Sequence, residues 1–155
     1  MDELTEIVQS ILEEVAAMEI LRQELRRLRD LSYPGVYRAQ GSILHDFYTG
    51  CERIFLHIAK DIDRDVPQGE HWHIKLLKRM TRERGEARPE VISEDLARAL
   101  RPYLGFRYVF RNIYGHALRP DRLCPLIERF ECSLDRFQDE ITRFVAFLKQ
   151  VLHEG

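Results

Sequence analysis

Cysteine is scarce in this chain and odd in number. Cys51, Cys124 and Cys132 are the three among 155 residues, and their spacings suggest no disulfide framework. A reducing, cytoplasmic setting is therefore expected. Eight Gly and six Pro leave little material for long loops. No apolar run approaches the ~18–20 residues that would span a bilayer, so no membrane partner is expected. The acidic start, Met1-Asp2-Glu3, does not read as a secretory signal, which would be basic and then apolar. Strand-length alternation, internal repeats and low-complexity segments are missing too. With 45% hydrophobic and 32% charged residues, the composition excludes a disordered tail, a collagen-like chain and a membrane bundle. The length fits one domain covering residues 1–155.

What is present is helical periodicity. Leu4, Ile7, Ile11, Val15, Met18, Leu21, Leu25 and Leu28 recur at strides of three and four, one stripe along a long helix. Tyr33-Pro34-Gly35 stops it. Leu44, Phe47, Cys51, Ile54, Phe55, Ile58 and Ile62 mark a second long helix, closed near Val66-Pro67. The short connection predicts an antiparallel hairpin. Ile74, Leu76, Leu77 and Met80 suit a short helix. Ser93, with Glu94 and Asp95 behind it, reads as the N-cap of another helix, which continues through Leu96, Leu100, Tyr103 and Leu104. Pro102 and Gly105 predict a kink or break inside it, and Gly115 a C-cap at its end. Arg119-Pro120-Asp121 reads as a turn before a last stripe, Leu134 to Val151. The expected fold is all-α, an antiparallel bundle of four to five helices. Phe137, Phe144, Val145, Phe147 and Leu152 spread over neighbouring faces of the last helix, and a zone that wide can bury against a second subunit, so a dimer is expected.

Charge is uneven along the chain. Residues 1–70 hold 8 Lys/Arg against 14 Asp/Glu, residues 71–122 hold 12 against 6, and residues 123–155 hold 4 against 6. The middle is a basic block in a chain of net charge −2. Such a block attracts phosphates; pairing with acidic helices of the same molecule is the other reading.

The most reactive side chains gather in the segment from Phe106 to His116. Arg107 and Arg111 lie one helical turn apart and face the same way. A guanidinium is always charged and forked, which suits a phosphate, and an imidazole exchanges protons near neutral pH. Together they supply what metal-free RNA cleavage needs: a base for the ribose 2′-hydroxyl, a cation for the phosphate and an acid for the leaving oxygen. A two-fold dimer would bring a second set to the same cleft. An Arg and a His at a helix end also occur together by chance.

Other candidates are weaker. Lys75, Lys78, Arg79 and Arg82 along the short helix can guide an RNA backbone, with Trp72 as a stacking face, or form a solvated side. His71-Trp72-His73 with Glu70 offers two imidazoles to a metal, but no third and fourth ligand are evident. A loop packed by Trp72 with His73 bonded to an acid is the stronger expectation. His45, Asp46 and Tyr48 can line a polar cleft, and Cys51 belongs to the core.

Arg111-Asn112-Ile113-Tyr114-Gly115-His116 resembles the motif of the HEPN superfamily, an Arg, four to six residues and a His, with a polar residue after the Arg. Leu44-His45-Asp46-Phe47-Tyr48-Thr49-Gly50, Glu52-Arg53-Ile54-Phe55, His71-Trp72-His73 and Phe106-Arg107-Tyr108-Val109-Phe110-Arg111 resemble a HepT-like subgroup in the same order. The resemblance covers nearly the whole chain. It implies a helical bundle that dimerises with the motif at the dimer cleft, a metal-independent endoribonuclease toxin without cofactor, and a partner antitoxin of the MNT-type nucleotidyltransferases. By residue match Arg111 and His116 are expected to be catalytic and Asn112 supporting. Arg107, Lys75, Lys78 and Arg79 are expected to meet RNA phosphates. In related pairs the antitoxin adds AMP to a tyrosine two residues after the His. Here Leu118 holds that position, leaving Tyr114 as the candidate for modification. The departure keeps open a second reading, a non-catalytic module that retains the fold and the nucleotidyltransferase partner. A nucleotide-binding bundle is a third.

Overall fold

A computed structural model describes residues 2–114 and 117–154. Five helices run through them: α1 (Glu3–Leu28), α2 (Val36–Asp61), α3 (Trp72–Met80), α4 (Glu94–Asn112) and α5 (Pro120–Glu154). The only β-type pairing among the described residues is a bridge between Arg84 and Arg88. The Asp2 carboxylate caps α1 by accepting from the Thr5 N–H at 2.8 Å, and that bond holds its carboxyl below the usual range. Ser93 caps α4 in the same way, accepting from the Leu96 N–H. Gly35, at φ 92°, makes the left-handed turn that starts α2.

Cross-helix contacts give the topology. Arg64, just beyond α2, meets Glu3, and Gln40 near the start of α2 reaches the Leu28 carbonyl at the end of α1. The two helices are antiparallel. Arg22 and Arg26 of α1 pair with Asp135 and Glu131 of α5, again antiparallel. Tyr103 donates to the Leu126 carbonyl, and Ser93 bonds Glu140, so α4 and α5 are antiparallel as well. Phe47 and Phe55 of α2 meet Phe130 and Phe137 of α5 in the same chain order, a parallel diagonal pair. The result is an up-down-up-down four-helix bundle with α3 as a short side piece. α2 lies at its centre, and Phe47 packs edge-to-face on Tyr103, Phe130 and Phe137. The core runs from Ile7 to Leu148.

Two expectations change, and the width of the apolar zone on α5 is accounted for. α4 runs unbroken through Pro102. The carbonyl that loses its bond belongs to Arg98, an exposed residue that water can reach, while buried Leu100, Tyr103 and Leu104 hold the adjoining turns. Pro120 is no turn but the first residue of α5, a position where a missing N–H costs nothing. Buried Leu123, Leu126, Ile127 and Phe130 then extend the apolar stripe toward the N-terminus. Finally, the apolar surplus on α5 is used within the chain. Phe137, Phe144 and Val145 are buried, and Phe147 and Leu152 pack against the same core. No helix among the described residues is long and apolar enough to cross a membrane.

Candidate functional site

The C-terminal end of α4 lies on the first half of α2, and Gly41 decides how closely. A Cβ built at Gly41 would meet Phe110 Cε1 at 2.7 Å and Leu118 Cδ2 at 3.1 Å. Glycine is needed there for space. Gly41→Ala should therefore lower stability by about 1–3 kcal/mol, the usual cost of overpacking, read as a lower urea midpoint. An unchanged midpoint would show that Phe110 can move aside.

One turn after Gly41 on α2 stands His45, with its ring 5.7 Å from that of Phe110. Arg111 Nε donates to His45 Nε2 at 2.9 Å, and His45 Nδ1 lies 3.1 Å from Asp46 Oδ1. A guanidinium can only donate, so Nε2 must accept. The ring proton then sits on Nδ1 and points at the Asp46 carboxylate. Asp46, His45 and Arg111 thus form one hydrogen-bonded line from α2 to the exposed end of α4. The sequence had set His45 and Asp46 in a polar cleft without this partner.

Arg107 departs from expectation. It faces α2 as Arg111 does, but one turn deeper, where it is 3% exposed. Its Nη2 donates to both oxygens of Glu52, at 2.9 and 3.0 Å. Its guanidinium also lies 5.0 Å from the Tyr48 ring centre. His73 of α3 joins through Nδ1, 2.7 Å from Glu52 Oε2, while its ring lies tilted against that of Trp72. So Arg107 clasps α2, α3 and α4 together and is not presented to a phosphate. His73 bonded to an acid beside Trp72 is the expected packed arrangement. No group of three or more His, Cys, Asp or Glu among the described residues is placed to hold a metal ion. The neighbours of the clasp are chemically quiet: burial pushes both the Cys51 thiol and the Tyr48 hydroxyl well above their ordinary pKa.

Asn112 turns back on its own helix, where Nδ2 donates to the Tyr108 carbonyl at 2.7 Å. It closes the last turn of α4. Tyr114 is 78% exposed. His116, and Gly115 as a cap, lie outside the described residues. Leu118 is buried beside Gly41 and Phe110, so an apolar side chain at that position serves packing. On α3, Lys75, Lys78 and Arg79 border a groove of about 310 Å³ together with Arg82, Glu83 and Arg84. Arg79 is partly neutralised by Asp65, which it reaches at 3.4 Å, and Lys75 bonds the Gln68 carbonyl. Lys78 is exposed.

The sequence missed one residue altogether. Arg88, between α3 and α4, is fully buried and grips Asp63 with two donors at 2.6 and 2.9 Å. Its Nη1 holds the carbonyls of Arg82 and Pro89. A lone Arg in a Gly/Pro loop carries no periodic signal; only Asp63 just past α2 hints at a partner.

No curated protein and no solved structure matches the chain with significance. A family model described as HepT-like protein matches residues 39–148. That span takes in most of α2, all of α3 and α4 and most of α5, with every residue of the Asp46–His45–Arg111 line and of the Arg107 clasp. The chain belongs to the HepT-like family of the HEPN superfamily.

Proposed function

We propose that this protein is a metal-independent endoribonuclease toxin that acts as a homodimer and is neutralised by an MNT-type nucleotidyltransferase antitoxin. Arg111 carries the reading: in a chain of the HepT-like family, the motif's arginine stands exposed at the end of α4, with Asn112 closing the turn behind it. Its fork is suited to the charge that builds on the phosphate oxygens as the 2′-oxygen attacks phosphorus. His116, five residues on, exchanges a proton with the RNA. Exposed Tyr108, three residues before Arg111, offers an aromatic face to unpaired bases. The basic groove on α3 supplies a path for the RNA backbone, with Lys78 among its exposed cations.

The test is cleavage of single-stranded RNA by the purified protein, with and without EDTA. Arg111→Ala should cut the rate roughly 10²–10³-fold, the cost of removing one donor to a developing oxyanion. His116→Ala should do the same and relieve growth arrest, and EDTA should change nothing. Parent and variants that are equally toxic would sink the reading. Coexpression with an MNT-type nucleotidyltransferase should restore growth, and an AMP-sized mass gain on the toxin should vanish in Tyr114→Phe.

One observation favours a second reading. Leu118, where the toxin motif often has the modified tyrosine, is buried in packing against Gly41. A chain that forms a stable complex with the nucleotidyltransferase but cuts no RNA would be a binding module.

A further inference from the structure

We infer that His45 is the general base of the proposed ribonuclease reaction, with Asp46 as its positioning residue. The inference deepens the ribonuclease reading and rests on it. It comes from the line joining α2 to α4, in which His45 Nε2 lies 2.9 Å from Arg111 Nε and Nδ1 lies 3.1 Å from Asp46 Oδ1.

The hydrogen bonds fix the state of the ring. Because Arg111 only donates, Nε2 carries a lone pair, and Nδ1–H is held by a carboxylate. That is a neutral imidazole in the tautomer a base requires, oriented from behind by an acid. The lone pair points at the residue that would bind the phosphate. Among the described residues, Arg111 spends only Nε on a partner, which leaves its two terminal amines for phosphate oxygens. A phosphate bound there brings the adjacent ribose within reach of Nε2. As Arg111 tilts toward the phosphate, the lone pair is released.

The step balances. His45 Nε2 takes the proton of the 2′-hydroxyl, and the oxygen's electron pair forms a bond to phosphorus. The bond from phosphorus to the 5′-oxygen breaks with its pair on that oxygen, which takes a proton from His116. The products are a 2′,3′-cyclic phosphate and a 5′-hydroxyl end. Proton exchange with water resets both imidazoles. No metal and no co-reactant enters. Base and phosphate cation then come from one chain, so the second copy is not needed to supply the base.

Steady-state cleavage of a short RNA by full-length protein tests the assignment, comparing parent, His45→Ala, His45→Gln, Asp46→Asn and Arg111→Ala, each checked by thermal melting. His45→Ala should lower kcat roughly 10²–10⁴-fold with KM nearly kept, the usual share of a general base. Added imidazole should restore part of the rate in His45→Ala and none in Arg111→Ala. Asp46→Asn should show a smaller loss in kcat. His45→Gln keeps a polar group against Arg111, so a folded but inactive His45→Gln supports the base role even if His45→Ala unfolds. Parental kcat in a folded His45 variant, with Arg111→Ala inactive, overturns the inference and leaves the ribonuclease reading standing. A loss confined to KM also overturns it, because His45 would then only hold Arg111. A parent that cuts no RNA removes both.

Discussion

Arg107→Ala is expected to lower the unfolding free energy by about 3–5 kcal/mol. The reason lies on the acid's side. Glu52 is 6% exposed and accepts at both oxygens from Arg107 Nη2. Truncating the arginine leaves a carboxylate in the core with only His73 beside it. Removing one member of a buried pair strands a charge, which costs far more than the pair itself contributes. A domain's total stability is about 5–15 kcal/mol, so the variant should approach the limit of folding. Urea denaturation reads the effect. The double variant Arg107→Met with Glu52→Leu is the diagnostic, because it removes both charges and fills similar volume. It should recover most of the loss. If Arg107→Ala instead keeps its stability and loses only RNA affinity, the clasp is wrong and Arg107 belongs with the phosphate-binding residues after all.

Arg88→Ala should show a loss of similar size, about 3–5 kcal/mol, by a different route. The Arg88–Asp63 pair is wholly enclosed, and Arg88 also satisfies two carbonyls of the segment it sits in. Alanine would orphan the Asp63 carboxylate and both carbonyls at once. The segment between α3 and α4 has no helix of its own; besides this arginine, it is tied by backbone bonds from Val91 and Ile92 to the Met80 carbonyl. Hydrogen exchange should therefore rise first over residues 81–93, before global unfolding. Exchange that rises uniformly over the whole chain would show that this segment has no separate anchorage. Arg88→Lys should recover little, because an ammonium cannot span both oxygens of Asp63 in the forked geometry.

Much of the architecture was legible because helical stripes repeat. The strides from Leu4 to Leu28 and from Leu44 to Ile62 each had one meaning, and both became long helices. Proline misled twice, for one reason. Its effect depends on which carbonyl loses a bond and whether water can replace it, and a sequence does not say which residues are exposed. Pro102 therefore sits inside an intact α4, while Pro120, as the first residue of α5, takes a bond from no carbonyl at all. The apolar excess on α5 had two readings for a related reason: a helix at the junction of two others needs more than one buried face, and that reads the same as an interface.

For the candidate site, residue chemistry was visible and pairing was not. Arg107 and Arg111 are equivalent in sequence, four residues apart on one face. Their depths in the bundle separate them, one set against Glu52 in the core and the other against His45 at the rim.

The order of residues alone determined that the chain is helical, where most of its helices lie, and that its arginines, histidines and aromatics concentrate around the end of α4, since all of this follows from local periodicity and composition. Tertiary structure alone decided which charges are spent on holding the bundle and which remain at the surface. That choice depends on contacts between residues far apart in the chain, such as Asp63 with Arg88, His45 with Arg111 and Arg22 with Asp135. Desolvation sets the role of a charge, and desolvation exists only once the helices have packed.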